Sequence, residues 1–139
     1  MSKQSWLMLV VGLVLGAGLQ WVRAADAPPG RVFELRTYHT LPGRLDALHK
    51  RFREHTMKIF EKHGMSNVGY WTPEDPAIRD NTLIYVISHA SREAATKNWQ
   101  EFHDDPEWKA VAAASEADGK IVEKVDSVFM DATDFSPLK

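Results

Sequence analysis

Between Phe33 and Thr40 the chain reads FELRTYHT, and its polar and apolar positions alternate. That period of two predicts a strand, with Phe33, Leu35 and Thr37 on one face and Glu34, Arg36 and Tyr38 on the other. The strand is expected over 31–40 and is broken by Leu41-Pro42-Gly43. From Arg44 to His63 the spacing becomes helical. Leu45, Leu48, Phe52, Ile59 and Phe60 form an apolar stripe, and charged residues fill the other side. Gly64 follows a basic last turn and suits a C-cap. A second strand is expected at Met65–Thr72 (MSNVGYWT), followed by the loop PEDPAIRDN. Thr82–His89 (TLIYVISH) is rich in β-branched and aromatic residues and predicts a well-buried third strand. Ser91 is positioned to cap a helix from Arg92 to about His103, with Ala95, Trp99 and Phe102 inward. Asp105 and Pro106 start a third helix that carries Trp108, Val111 and Ala112 and ends near Gly119. The last strand runs from Ile121 to about Met130, and a polar tail closes the chain.

The order is β-α-β-β-α-(α)-β. It predicts an α+β, ferredoxin-like fold: a four-stranded antiparallel sheet with its helices on one face. The other face has no cover within the chain, so a second copy is expected to close two sheets into a dimeric α/β barrel. Phe33 and Leu35 look like a core face and are expected under the helices, where Ile84 and Val86 of the third strand would join them. Glu34, Arg36, Tyr38, Leu83, Tyr85, Ile87 and His89 are then expected on the open, barrel side. Trp71 and Asn67 are assigned to the barrel side too, and a β-bulge would change that assignment.

The first 24 residues are set apart by their composition. Lys3 precedes an apolar run of 14 residues, Trp6 to Leu19, and Val22-Arg23-Ala24 offers a small-residue cleavage site. This is the pattern of a secretory signal peptide, expected to be cut after Ala24 rather than after Ala27, where Pro28 follows. The run is shorter than the ~20 residues that span a bilayer, which favours a cleaved signal over an anchor. The membrane is then met only in transit, and the mature protein is expected to be exported, periplasmic or extracellular. Residues 25–30 form a short leader, 31–133 the domain and 134–139 a C-terminal tail. Lys3 and Arg23 leave with the signal, so 15 Lys and Arg face 19 Asp and Glu in the mature chain. That acidic balance argues against nucleic acid as a partner. The chain has no cysteine, so neither disulfides nor a lipidated cysteine contributes.

The phrase FELRTYHTLPGRLDAL resembles the opening of a NIPSNAP domain, in which Glu-Leu-Arg-Thr-Tyr is followed shortly by Pro-Gly. The second half is similar as well: an apolar strand, Ser91-Arg92, Trp99, Phe102, then Asp105-Pro106-Glu107-Trp108. The resemblance spans about Arg31 to Asp131. It implies a fold of the dimeric α/β-barrel type, the same as the strand order predicts, and it implies no settled reaction. Related barrel families include cofactor-free monooxygenases and haem proteins, a relation of fold alone.

Candidate chemistry concentrates on the polar strand faces. Glu34, Arg36, Tyr38, Trp71, Tyr85 and His89 are the pocket candidates. Arg36 would hold an anionic or carbonyl oxygen, Tyr38 or Tyr85 would donate a hydrogen bond, and Glu34 or His89 would serve as base. The competing expectation is a structural ion pair of Glu34 with Arg36 that keeps an interface in register. No two histidines show the i, i+4 spacing of a helical metal site, so no metal is expected. His89 or His39 would have to ligate a haem, and a lone histidine at a strand end gives that little support, so no cofactor is expected. His49 and His55 are read as surface or rim residues and His63 as a cation closing its helix. Trp99, Phe102 and Trp108 are read as packing. The expected function is a homodimeric barrel binding a small apolar or carbonyl-bearing molecule, with no assigned reaction. A cofactor-independent monooxygenase or isomerase and an envelope interaction module are the alternatives.

Overall fold

The computed structural model describes residues 30–139. The expected signal peptide and most of the leader lie outside the described residues. The elements follow the expected order: β1 (Val32–Thr40), a first helix in three parts, β2 (Ser66–Trp71), β3 (Thr82–His89), α3 (Arg92–Asp104), α4 (Pro106–Ser115) and β4 (Val122–Asp131). The first helix comprises α1 (Leu45–Arg51), a π turn (Phe52–Thr56) and α2 (Met57–Lys62). The π turn was not visible as a break in periodicity. The Thr56 hydroxyl marks it, donating to the Arg51 carbonyl five residues back at 3.2 Å.

Local chemistry sets the remaining boundaries. Gly64 ends the first helix at φ 75°, a conformation only glycine adopts readily. The Ser91 hydroxyl accepts from Ala94 N at 3.0 Å and starts α3. Asp105 accepts from Glu107 N at 2.8 Å and starts α4, with Pro106 at the first position. The same Asp105 carboxylate holds Lys62 Nζ at 2.7 Å and His63 Nε2 at 2.6 Å. It therefore ties the end of the first helix to the elbow between α3 and α4. Those two partners hold its carboxyl below the usual carboxylate range.

The strand order is β2-β3-β1-β4, and every pair is antiparallel. The helices cover one face, and the core lies between them. Leu48, Phe52, Ile59, Phe60 and Met65 meet Leu83, Tyr85 and Ile87 there, with Phe102 and Ile121 closing the ends. Burying each large apolar side chain contributes about 1.5–3 kcal/mol.

The expected faces of the sheet are reversed. Glu34, Arg36, Tyr38, Leu83, Tyr85, Ile87 and His89 turn toward the helices, as their contacts with α3 and the first helix show. By the period of two, Phe33, Leu35, Ile84 and Val86 turn to the open face. The reason is physical. β1 and β3 are central strands with apolar residues on both sides, so hydrophobicity alone does not choose the side. The helix side is the one that offers hydrogen-bond partners to Glu34. On β2, the register slips at Val68, a bulge that puts Asn67 opposite Ile87 and Tyr70 opposite Tyr85, all on the helix side. Trp71 stays on the open side opposite Ile84, as expected, and parts company with Asn67.

The open face is apolar and only partly covered. Leu35, Ile84 and Val86 are half-buried, and Val128 and Trp71 are about half exposed. The C-terminal segment reaches this face near Phe33, where Leu138 and Thr133 help to line a shallow cavity of about 360 Å³. No helix among the described residues is long and apolar enough to cross a membrane.

Candidate functional site

Alternation on β1 puts an acid, a base and a phenol in the layer between sheet and helices. Such groups need partners when they leave water. Glu34 is 1% exposed. One carboxylate oxygen accepts from Arg36 Nη1 and Ser127 Oγ, both at 2.7 Å. The other accepts from Trp99 Nε1 at 2.7 Å and His89 Nε2 at 3.0 Å. Burial pushes the Glu34 carboxyl up, but donation from His89, Ser127, Trp99 and Arg36 together outweighs it and lowers the pKa to about 2. His89 is as deeply buried, and the amide nitrogen of Asn98 donates to its Nδ1 at 3.2 Å. That leaves Nε2 as the nitrogen that donates to Glu34.

This arrangement changes the roles expected from sequence. Glu34 accepts four hydrogen bonds, so its lone pairs are committed and its carboxyl resists protonation. His89 has both nitrogens engaged and no exposed surface. Neither is placed to take a proton from a ligand. Both are positioning residues that fix Arg36.

Arg36 is the member that reaches outward. Its guanidinium carbon lies 4.2 Å from the centroid of the Trp99 ring and 5.6 Å from that of Tyr38, so two aromatic faces hold it. Burial works against its charge, yet Tyr85, Tyr38 and Glu34 keep it above the usual arginine range. Its Nη1 is used by Glu34, while its Nε is buried without a partner. Directly opposite on β3 stands Tyr85, whose hydroxyl is also buried without a partner. Burial pushes that hydroxyl well above the usual phenol range. Two unpartnered donors therefore sit on paired residues of adjacent strands. A buried donor without an acceptor costs about 1–3 kcal/mol and calls for an explanation.

The structure brings together five of the six residues singled out from sequence: Glu34, Arg36, Tyr38, Tyr85 and His89. Trp71 lies on the other side of the sheet, about half exposed. Trp99, Asn98 and Ser127 were missed. Trp99 was assigned to packing, and it does pack, with Phe60 and Phe102 at 5.5 and 5.6 Å. The signal overlooked was its indole N–H, which needs an acceptor wherever the ring is buried. Among the described residues no group of three or more His, Asp or Glu is arranged to hold a metal ion.

The family model described as NIPSNAP matches residues 33–137, nearly all of the described domain. The chain belongs to the NIPSNAP family. Solved NIPSNAP structures share its fold. A protein of unknown function from Agrobacterium tumefaciens is 23% identical, covers 79% of this chain and 95% of its own, and superposes with a TM-score of 0.67. An uncharacterized NIPSNAP domain protein from Burkholderia xenovorans is 19% identical over 76% of this chain and 98% of its own, with a TM-score of 0.64. The likeness extends, more weakly, to SnoaB, a cofactor-independent oxygenase from Streptomyces nogalater: 14% identity, 78% and 98% coverage, TM-score 0.52. At these identities the likeness is one of fold. No curated protein matches the chain.

Proposed function

We propose that this NIPSNAP domain binds a small apolar molecule through a carbonyl or carboxylate oxygen, in the layer between sheet and helices. The observation that carries the reading is the pair of unpartnered buried donors, Arg36 Nε and Tyr85 OH, on paired residues. An oxygen acceptor would satisfy both, and Tyr38 and Trp99 would flank its apolar body. Binding, not turnover, is the reading the geometry favours, because the two candidate bases, Glu34 and His89, are committed to each other.

The protein is further proposed to act as a homodimer outside the cytoplasm. The apolar open face supports the first point and the N-terminal pattern of residues 1–24 the second. With the faces reversed, the interface falls to Leu35, Ile84, Val86 and Val128, and the ligand site stays within each chain. N-terminal sequencing of the protein purified from its native host checks export. A mature end at Ala25 is expected, and an intact Met1 in the soluble cytoplasmic fraction counts against it.

The ligand reading is tested with Arg36→Lys. The lysine keeps a cation beside Glu34 but has no Nε donor and no planar fork. Apolar ketones and carboxylic acids are screened by calorimetry against both proteins. A compound that binds the wild type at least tenfold more tightly than the variant is expected. Equal affinity for every compound bound would overturn the assignment.

A further inference from the structure

We propose that the cavity between the π turn and the β2 edge is a second ligand site, built for a small carboxylic acid with an apolar body. It is separate from the Arg36 site. The cavity has a volume of about 340 Å³, at the small end of the roughly 300–1,000 Å³ typical of ligand pockets. Its wall is apolar: Phe52, Met57, Tyr70, Trp71 and Leu83. Phe52 and Tyr70 back onto Tyr85 with ring centroids 5.2 Å away, so the wall is an extension of the rigid core.

Two features make this more than a crevice. First, the π turn shapes it. The i→i+5 repeat of such a turn lets Phe52 and Met57, five apart, line the same cavity, while Arg51 and Thr56, also five apart, are both buried. Single π turns inside α-helices recur at functional sites. Second, two nitrogen-bearing side chains line it. His49 and Arg53, one helical turn apart, line the cavity, and no acidic residue does. His49 Nε2 is buried without a hydrogen-bond partner. None of the ion pairs among the described residues uses Arg53.

An apolar wall, a buried unpartnered imidazole nitrogen and a guanidinium that no ion pair among the described residues uses select an anion carried on an apolar body. A planar carboxylate can accept from both donors, and the aliphatic or aromatic remainder would rest against Phe52 and Met57.

The test is calorimetry of the purified protein with octanoate and 3-phenylpropionate, and with octan-1-ol as the uncharged counterpart. At least one acid is expected to bind, and octan-1-ol at least tenfold more weakly. Arg53→Gln, at an exposed position that leaves the core alone, and His49→Gln should each weaken the acid at least tenfold. Tyr85→Phe, which alters the Arg36 site, should leave it unchanged. No binding of either acid overturns the proposal, as does equal affinity for octan-1-ol or for the Arg53→Gln protein. An acid lost with Tyr85→Phe but kept with His49→Gln occupies the Arg36 site, and the second site falls while the first reading stands.

Discussion

The indole N–H of Trp99 donates to the carboxylate of Glu34 at 2.7 Å, joining α3 to the central strand β1. It is a bond between two layers, and among the described residues the Trp99 N–H has no other hydrogen-bond partner. Trp99→Phe removes this donor together with part of the ring that packs on Phe60, Phe102 and the Arg36 guanidinium. Hydrogen bonds to charged groups contribute about 1.5–3 kcal/mol. Urea unfolding should therefore show a loss of that order with an unchanged m-value. A loss below about 0.5 kcal/mol would mean that Ser127, His89 and Arg36 suffice for Glu34.

The depressed Glu34 pKa makes acid sensitivity a second expectation. Its folded pKa, about 2, is lower than the ordinary 4.5. The folded state thus binds this proton more weakly than the unfolded state does. The associated stability is fully present above about pH 4.5 and is lost as pH falls toward 2. Glu34→Gln should be less stable at pH 7, and its stability should fall less steeply between about pH 5 and 2. Parallel curves for the two proteins would show that Asp105, Asp118 and Asp126, also held below their usual range, carry the acid dependence instead.

The sequence pattern located the elements well because caps and breakers act locally. Ser91, Asp105-Pro106 and Gly64 each work within a few residues of themselves. The side on which β1 buries its polar residues was not legible, because Glu34 is satisfied by residues 55, 65 and 93 positions away, in His89, Trp99 and Ser127. The bulge at Val68 and the π turn at Phe52 were hidden for a related reason. Each inserts one residue into a regular period, and a short window absorbs such a slip as noise. Of the candidate site, alternation made legible which residues of β1 and β3 share a face. The orientation that puts that face under the helices had to come from the fold.

The reversed faces move the expected interface. Val128 pairs with Leu35 on the open face and is 54% exposed in the single chain. A lysine there costs the isolated fold little but would be buried without a partner in a sheet-to-sheet dimer. Light scattering after size exclusion should give about twice the chain mass for the wild type and the chain mass for Val128→Lys. A dimer that survives the lysine is held by some other surface.

Tyr85→Phe separates stability from binding. The ring lies in the core against Phe52, Phe60 and Tyr70, and phenylalanine preserves those contacts. What disappears is a hydroxyl that is buried with no partner. Removing an unsatisfied buried hydroxyl is neutral or stabilising, by up to about 1 kcal/mol. If it is kept to meet a ligand oxygen, the same substitution should raise the unfolding midpoint or leave it unchanged while weakening the ligand by about tenfold, the cost of about 1.4 kcal/mol for one hydrogen bond. Unfolding curves and calorimetry on one preparation give both numbers. A destabilised variant would mean that the hydroxyl has a partner in the free protein, and the Arg36–Tyr85 pair would no longer mark a ligand site.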